Sequence, residues 1–378
     1  MAKDRPNWEG LLKWSLSYSD STRPQCHLSE EERRWFMEAM EAHYVDILKR
    51  MKEITLVLKT PERVLEAQGV TLADIEDLLD ELQQHVESID MANDLHSIGG
   101  LVPLLGYLKS SHANIRAKAA EVITTIVQNN PTSQQQVMEA NGLEPLITNF
   151  TADPDELVRT KALGAISSLI RHNKPGVATF RLANCYAALR DALSSNSVKF
   201  QRKALNLIQY LLYENRADCN VVTELGFPRI MTHLVSSYDL GVREAALGGL
   251  LELARCEDHE ASGSGGGSMR KEDDRLKHLL EERIDHISSM SAEDLGATKE
   301  ERQLVNSLWS ARFNEPSPLQ EKGLLVLPGD DEPPPDVTGK HFEPPPRVWA
   351  AEREQDNVSD HENKEAAPLL LGPPPSTV

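Results

Sequence analysis

The sequence predicts an all-α protein, a right-handed α-solenoid with N-terminal capping helices and a partly disordered, proline-rich C-terminal extension. Three observations predict it. Hydrophobic residues make up 40% of the 378 positions while aromatics make up only 5%, a composition that suits helices packed through Leu, Ile, Val and Ala better than a sheet sandwich. Four markers, GLVPLL from Gly100, GLEPLI from Gly142, NCYAAL from Asn184 and GFPRIM from Gly226, start 42 residues apart. A second apolar stretch follows each marker: IRAKAAEVITTIV from Ile115, VRTKALGAISSLI from Val158, FQRKALNLIQYLL from Phe200 and VREAALGGLLELA from Val242.

A period near 42 is the mark of armadillo/HEAT-like repeats, with two long helices and one short one expected per unit. One such unit cannot bury its own apolar face, so neighbours must stack. Ala119, Ala162, Ala204 and Ala246 recur where long helices must approach closely. Gly or Asn at each marker, followed by Pro103, Pro145 or Pro228, punctuates the short helix before the next. DIEDLLDELQQHV from Asp74, followed by IGGL, opens the array with half a unit.

The remaining elements fall in order around this array. Residues 1–27 hold NWEGLLKWSLSYS, a short amphipathic segment in which Trp8, Leu11, Leu12 and Leu16 share one face and Trp14 and Tyr18 widen it. A helix of about a dozen residues is marginal alone in water, so this mobile segment either docks on its own protein or is held for another. Residues 28–68 form an N-terminal cap: a long helix opened by a capping box of Ser29 and Glu32, its stripe running through Phe36, Met40, Tyr44, Ile47, Met51, Ile54 and Leu58, and closed by Pro61. About four repeats occupy 69–258, a Gly/Ser linker 259–269, a C-terminal helical segment that caps the other end 270–314, and a disordered acidic Pro-rich tail 315–378.

Composition and motifs exclude most chemistry. A formal net charge of −19 argues against nucleic acid or an anionic membrane as the main partner, and no stretch approaches 18 apolar residues. Cys26, Cys185, Cys219 and Cys256 are scattered without CxxC spacing, so neither a zinc site nor a disulfide framework is expected, and four free thiols fit a reducing compartment. The glycine run at Gly263 lacks both the dinucleotide and the Walker spacing and is read as a linker. His278 and His286 beside Glu281, Glu282 and Asp285 read as a charged helix face rather than metal ligands. No catalytic residue, metal or cofactor is expected. The terminal Ser376-Thr-Val378 has the form of a PDZ ligand and equally reads as a frayed end.

Function in a solenoid lies along its inner groove, lined by the last helix of each unit. Alignment of the Ala-Leu pairs places Glu121 and Thr125, Gly164 and Ser168, Arg202, Asn206 and Tyr210, and Glu244, Gly248 and Glu252 on that face, beside Lys118, Lys161 and Lys203. The Trp/Asn ladder of repeats that receive nuclear-localisation peptides is missing. Small residues such as Gly164, Ser168 and Gly248 would let a broad folded surface approach.

NWEGLLKWSLSYS, then LSEEERRWFMEAM, then about four repeats stand in an order that resembles the cytosolic Fes-type family of nucleotide-exchange factors for heat-shock protein 70, the armadillo Hsp-binding proteins. The resemblance covers roughly residues 5–260, and the remainder is similar to extensions of plant members. It implies a co-chaperone, not an enzyme, whose inner face embraces one lobe of the chaperone's ATPase domain and opens the nucleotide cleft so that ADP leaves. Carried onto this chain, it implies partner contacts at Lys118, Glu121, Lys161, Gly164, Ser168, Arg202, Lys203, Asn206, Tyr210 and Glu252. It also implies that Trp8, Leu11, Leu12, Trp14 and Leu16 compete for the chaperone's peptide site. A passive armadillo scaffold is the alternative. The protein is expected to be a cytosolic monomer, with access to the nucleus.

Overall fold

The computed structural model describes residues 30–257 and 268–325. The capping box at Ser29, the N-terminal apolar residues, the glycine linker and the tail from residue 326 lie outside them.

Helix α1 (Glu30–Lys59) is followed by a short α2 (Glu62–Ala67) and by α3 (Leu72–His85). At the start of α3, Thr71 accepts from the Asp74 amide and the Asp74 carboxylate accepts from the Thr71 amide, which satisfies two otherwise orphaned donors. Four three-helix units follow. They are α4 (Ile89–Ser97), α5 (Leu101–Tyr107) and α6 (Ala113–Val127); α7 (Pro131–Glu139), α8 (Leu143–Ala152) and α9 (Glu156–Ile170); α10 (Lys174–Leu182), α11 (Cys185–Leu193) and α12 (Val198–Glu214); α13 (Asp218–Glu224), α14 (Phe227–Leu234) and α15 (Leu240–Glu257). Each unit has two short helices and one long one, the reverse of the expected proportion. The long third helices run 15 to 18 residues, and each packs against the third helices on either side of it.

The turn between the first and second helix of every unit passes through a left-handed residue: Gly99, Asn141, Asn184 and Gly226, with φ of 73°, 56°, 53° and 79°. In the first two units the marker glycine is the next residue, and it serves close packing. A Cβ on Gly142 would come within 2.7 Å of Val137 Cγ1 and 2.8 Å of Leu105 Cδ2.

The third helices stack in series, α3 on α6, α6 on α9, α9 on α12, α12 on α15 and α15 on α18 (Lys299–Phe313). Ala119, Ala162, Ala204 and Ala246 are fully buried at these seams. Phe150, Phe180, Phe200 and Phe227 fill the core between layers, and Phe150 meets Phe200 edge to face with centroids 6.2 Å apart. Polar stitches cross between units: Asn149 Nδ2 donates to the Leu108 carbonyl at 2.9 Å, and Arg116 forks onto Asp153 at 2.7 and 2.9 Å. At the N-terminal end α1 covers the stack with buried Met51, Ile54 and Leu58, whereas Met40 and Tyr44 of the expected stripe are exposed.

At the other end α16 (Ser268–Ser288), α17 (Ala292–Ala297) and α18 extend the core with Leu280, Ile284, Ile287, Val305 and Leu308. The chain expected to leave the fold at 315 instead turns through α19 (Pro318–Glu321), and Leu319 is fully buried. This junction contains a buried ion triad. Glu301 accepts from Arg243 Nε at 2.8 Å and from Arg283 Nε at 2.7 Å and is wholly enclosed. Burial pushes its carboxyl up, but the hydrogen bonds and charges of Arg283 and Arg243 prevail, and its pKa lies below the usual carboxylate range.

The expectation of four free thiols is also overturned. Cys219 and Cys256 are joined by a disulfide that ties α13 to the end of α15, so the described cysteines are not all free thiols and the argument from them to a reducing compartment loses its support. Their separation of 37 residues gives no motif, because only stacking within the unit brings them together. Cys185 is free, buried, and its thiol is pushed up to about 12 by desolvation, which leaves it a packing residue.

Two stability outcomes follow from this packing. Phe200→Ala removes a fully buried ring between units and should cost about 3–5 kcal/mol in urea unfolding. Glu301→Gln leaves two buried guanidinium groups without their anion and should cost about 3–5 kcal/mol. Because the folded-state pKa of Glu301 is depressed, its stabilisation is complete above the unfolded carboxylate pKa and is lost as pH falls through the folded value. Urea unfolding should therefore show a weaker acid dependence in Glu301→Gln than in the parent.

Candidate functional site

The inner face is the surface of the stacked third helices. Repeating the unit every 42 residues or so brings corresponding side chains of α3, α6, α9 and α12 into rows, and the rows are ion-paired across the seams. Lys118 of α6 pairs with Asp80 of α3, and Lys161 of α9 pairs with Glu121 of α6. Gln83 Nε2 donates to Thr125 Oγ1 at 3.2 Å along the same seam.

The ladder breaks at α12. Lys203 occupies the position of Lys118 and Lys161, but the residue that should supply its carboxylate is Gly164. Its ammonium turns into that gap, so that a Cβ on Gly164 would lie 2.9 Å from Lys203 Nζ. Desolvation there, with Lys161 and Arg202 close by and only Glu121 pulling the other way, lowers the Lys203 pKa. Among the described residues neither Lys203 nor Arg202 has an ion-pair partner. The exposed side of α12 therefore presents Lys199, Arg202, Lys203 and Asn206 to solvent, followed by half-buried Gln209 and Tyr210 and exposed Tyr213.

Tyr210 is held from the preceding unit. The His172 amide donates to its hydroxyl at 2.8 Å, and the Arg171 guanidinium lies 4.7 Å from its ring centroid. Beyond α12 the face turns acidic. Glu244 of α15 has a raised pKa because it is partly desolvated and faces Glu300 and Glu301, and Glu252 accepts from Arg255 at 2.6 Å. The groove thus carries an uncompensated basic and aromatic strip on α12, with the ion-paired ladder before it and Glu244 beyond it.

The expected site residues divide accordingly. Arg202, Lys203, Asn206 and Tyr210 come together on α12. Lys118, Glu121 and Lys161 lie on the same face but are engaged in the ladder. Gly164 and Gly248 are buried beneath Lys203 and Gln209, so the space they leave is taken by this chain's own side chains. Ser168 is half-buried, and its carbonyl accepts from Gln134 Nε2 at 2.9 Å. Trp8, Leu11, Leu12, Trp14 and Leu16 lie outside the described residues. Sequence reasoning missed Lys199, Gln209 and Tyr213, although their i+4 and i+3 offsets from Lys203, Asn206 and Tyr210 signal the shared face. It missed Asp80 because α3, read as a half unit ahead of the four markers, takes no part in the Ala-Leu alignment that picks out the inner face. No group of residues able to hold a metal ion occurs among the described residues, and none of their helices is long and apolar enough to cross a membrane.

A stack of three-helix units with a continuous inner face defines an armadillo-type solenoid. Solved structures agree on the fold: a designed armadillo repeat protein aligns with a TM-score of 0.52 at 18% identity, covering 69% of this chain and 99% of its own. The family described as SIL1/FES1/HPBP1 C-terminal domain matches residues 91–221, and that described as nucleotide exchange factor Fes1 matches residues 8–95. Hsp70-binding protein 1 of Rattus norvegicus is 30% identical over 256 residues, spanning 65% of this chain and 72% of the relative. The Hsp70 nucleotide exchange factor FES1 of Saccharomyces cerevisiae is 30% identical over 223 residues, spanning 57% and 74%. The chain belongs to the Fes1/Hsp70-binding protein 1 family.

Restoring the missing rung tests the ladder. Gly164→Glu supplies the absent carboxylate and replaces a helix-interior glycine, so it should stabilise the fold by about 1 kcal/mol in urea unfolding. Clear destabilisation by this substitution would contradict the alignment of the rungs.

Proposed function

We propose that the protein is a nucleotide-exchange co-chaperone. Its inner face binds the ATPase domain of heat-shock protein 70 and promotes ADP release, and no bond is made or broken by the protein itself. The observation that carries this reading is the uncompensated strip on α12, where a fold that pairs Lys118 and Lys161 leaves Lys203 and Arg202 without anions beside an oriented tyrosine. The names of the relatives support the choice of partner. Lys199, Arg202 and Lys203 meet acidic ground on the chaperone, Tyr210 and Tyr213 supply stiff contact area, and Glu244 beyond them disfavours a register shifted toward α15.

Linkage constrains the mechanism. A groove that weakens ADP binding must itself be weakened by ADP to the same degree, with a coupling of about 1–3 kcal/mol, or roughly 5–150-fold. The stacked helices provide the stiffness this needs, since a groove that reshaped itself to both lobe arrangements would shift neither. The N-terminal segment, with Trp8, Leu11, Leu12, Trp14 and Leu16, acts on the chaperone's peptide site and aids substrate release. The protein works as a monomer in the cytosol, with access to the nucleus.

Added to heat-shock protein 70 loaded with fluorescent ADP, the protein should accelerate nucleotide release, and its affinity should fall 5-fold or more when ADP is saturating. Unchanged release together with retained binding would assign it as a passive scaffold. Gly164→Glu, which neutralises Lys203 without weakening the fold, should lower affinity about 10-fold and leave the unfolding midpoint at or above that of the parent. Unaltered affinity in this variant would remove α12 from the interface.

A further inference from the structure

Away from the inner face, α11 and α14, the second helices of adjacent units, enclose a cleft together with the first half of α16. Its volume is about 800 Å³, within the size range of ligand-binding clefts. Gln201 borders it from α12. At about 100° per residue, that position lies roughly 160° around the helix from Lys199 and from Lys203. The cleft and the groove therefore lie on different sides of α12.

The lining reverses the charge of the molecule. Arg190 of α11, Arg229 and His233 of α14 and Arg275 of α16 border the cleft, and no Asp or Glu among the described residues does, in a chain of net charge −19. Arg190 has the exposed Asp191 at 3.7 Å, while Arg229, His233 and Arg275 have no ion-pair partner among the described residues. Asp273, two residues before Arg275, is turned onto Arg312 Nε at 2.7 Å, and Glu156 is tied to the rim only as acceptor of the Ser195 hydroxyl at 2.5 Å. A fold that answers Arg116, Arg181 and Arg243 with carboxylates leaves these cations to share one hollow.

Beneath them the floor is apolar and the rim is fixed. Leu193 and Leu234 are buried, and Leu225 and Ile230 are half-buried. Gln201 Nε2 pins the turn between α11 and α12 by donating to the carbonyls of Leu193 at 3.2 Å and Ser195 at 2.7 Å. Guanidinium groups fork onto carboxylates, and arginine clusters are a recurring means of recognising acidic peptides. A small anion would call for donors converging on one buried point, whereas these cations are spread over three helices above aliphatic side chains. That pattern suits a chain that alternates acids with apolar residues.

We propose that this cleft binds an acidic peptide segment of a partner protein, with carboxylates on Arg190, Arg229 and Arg275 and an apolar side chain on the floor of Leu193 and Ile230. The inference does not rest on the exchange reading, and its test uses no chaperone. Fluorescence anisotropy of a labelled Glu-Glu-Leu-Glu-Glu-Leu peptide should report saturable binding to the full-length chain, although net charge alone predicts repulsion. Arg229→Glu/Arg275→Glu, at exposed and unpaired positions, should lower the affinity by about 10-fold or more and leave the urea unfolding midpoint unchanged. Gly164→Glu, in the inner groove, should leave the affinity unaltered. Replacing both leucines of the peptide by glycine should weaken binding about 5-fold. Absence of binding, or binding indifferent to the double substitution or to the leucines, overturns the proposal. Displacement by inorganic pyrophosphate as effective as that by unlabelled peptide assigns the cleft to small anions and overturns it equally.

Discussion

The structure depends on one constraint: a three-helix unit cannot bury the apolar surface of its long third helix by itself, so it needs neighbours to be stable. The consequences run through the chain. The fully buried alanines at 119, 162, 204 and 246 exist because third helices meet at close range, and the phenylalanines at 150, 180, 200 and 227 fill the wedge between layers. The array must also be terminated, which is the task of α1 at one end and of α16 to α19 at the other.

The two ends are terminated by different physics. At the N-terminal end the seal is apolar, made by Met51, Ile54 and Leu58 of α1. At the C-terminal end the seal combines buried Leu and Val side chains with the enclosed Arg243–Glu301–Arg283 triad. A buried triad adds less net stability than an apolar core of equal volume, but breaking it is costly. It therefore fixes the register of α18 against α15 more than it adds to overall stability. The disulfide between Cys219 and Cys256 adds a covalent tie in the unit just before this junction.

On the inner face, stability and recognition draw on the same charges. Lys118 and Lys161 answer carboxylates of the preceding unit, so they contribute to cohesion and have less to offer a partner. Lys203 is the exception because Gly164 stands where Asp80 and Glu121 stand in the earlier seams. A position that a fold optimised only for stability would fill with an acid is left as a gap, and the cation above it is partly desolvated. Departures of this kind from local consistency are expected where a surface is used for binding.

The sequence by itself determined the repeat, its period, the fully buried alanine column and the family, because hydrophobic periodicity and the order of motifs are properties of local chain. It also placed Arg202, Lys203, Asn206 and Tyr210 on one helix face, since spacing of three and four residues decides that. Tertiary structure alone decided which groove lysines are already paired, since Lys118 and Asp80 are far apart in sequence and α3 lies outside the alignment of the four repeats. It alone brought Cys219 to Cys256, enclosed Glu301 between two arginines, and returned Leu319 to the core after a stretch whose composition reads as tail. Each of these is a contact between residues tens of positions apart, and composition and local periodicity carry no information about what stands opposite a side chain once the units have stacked.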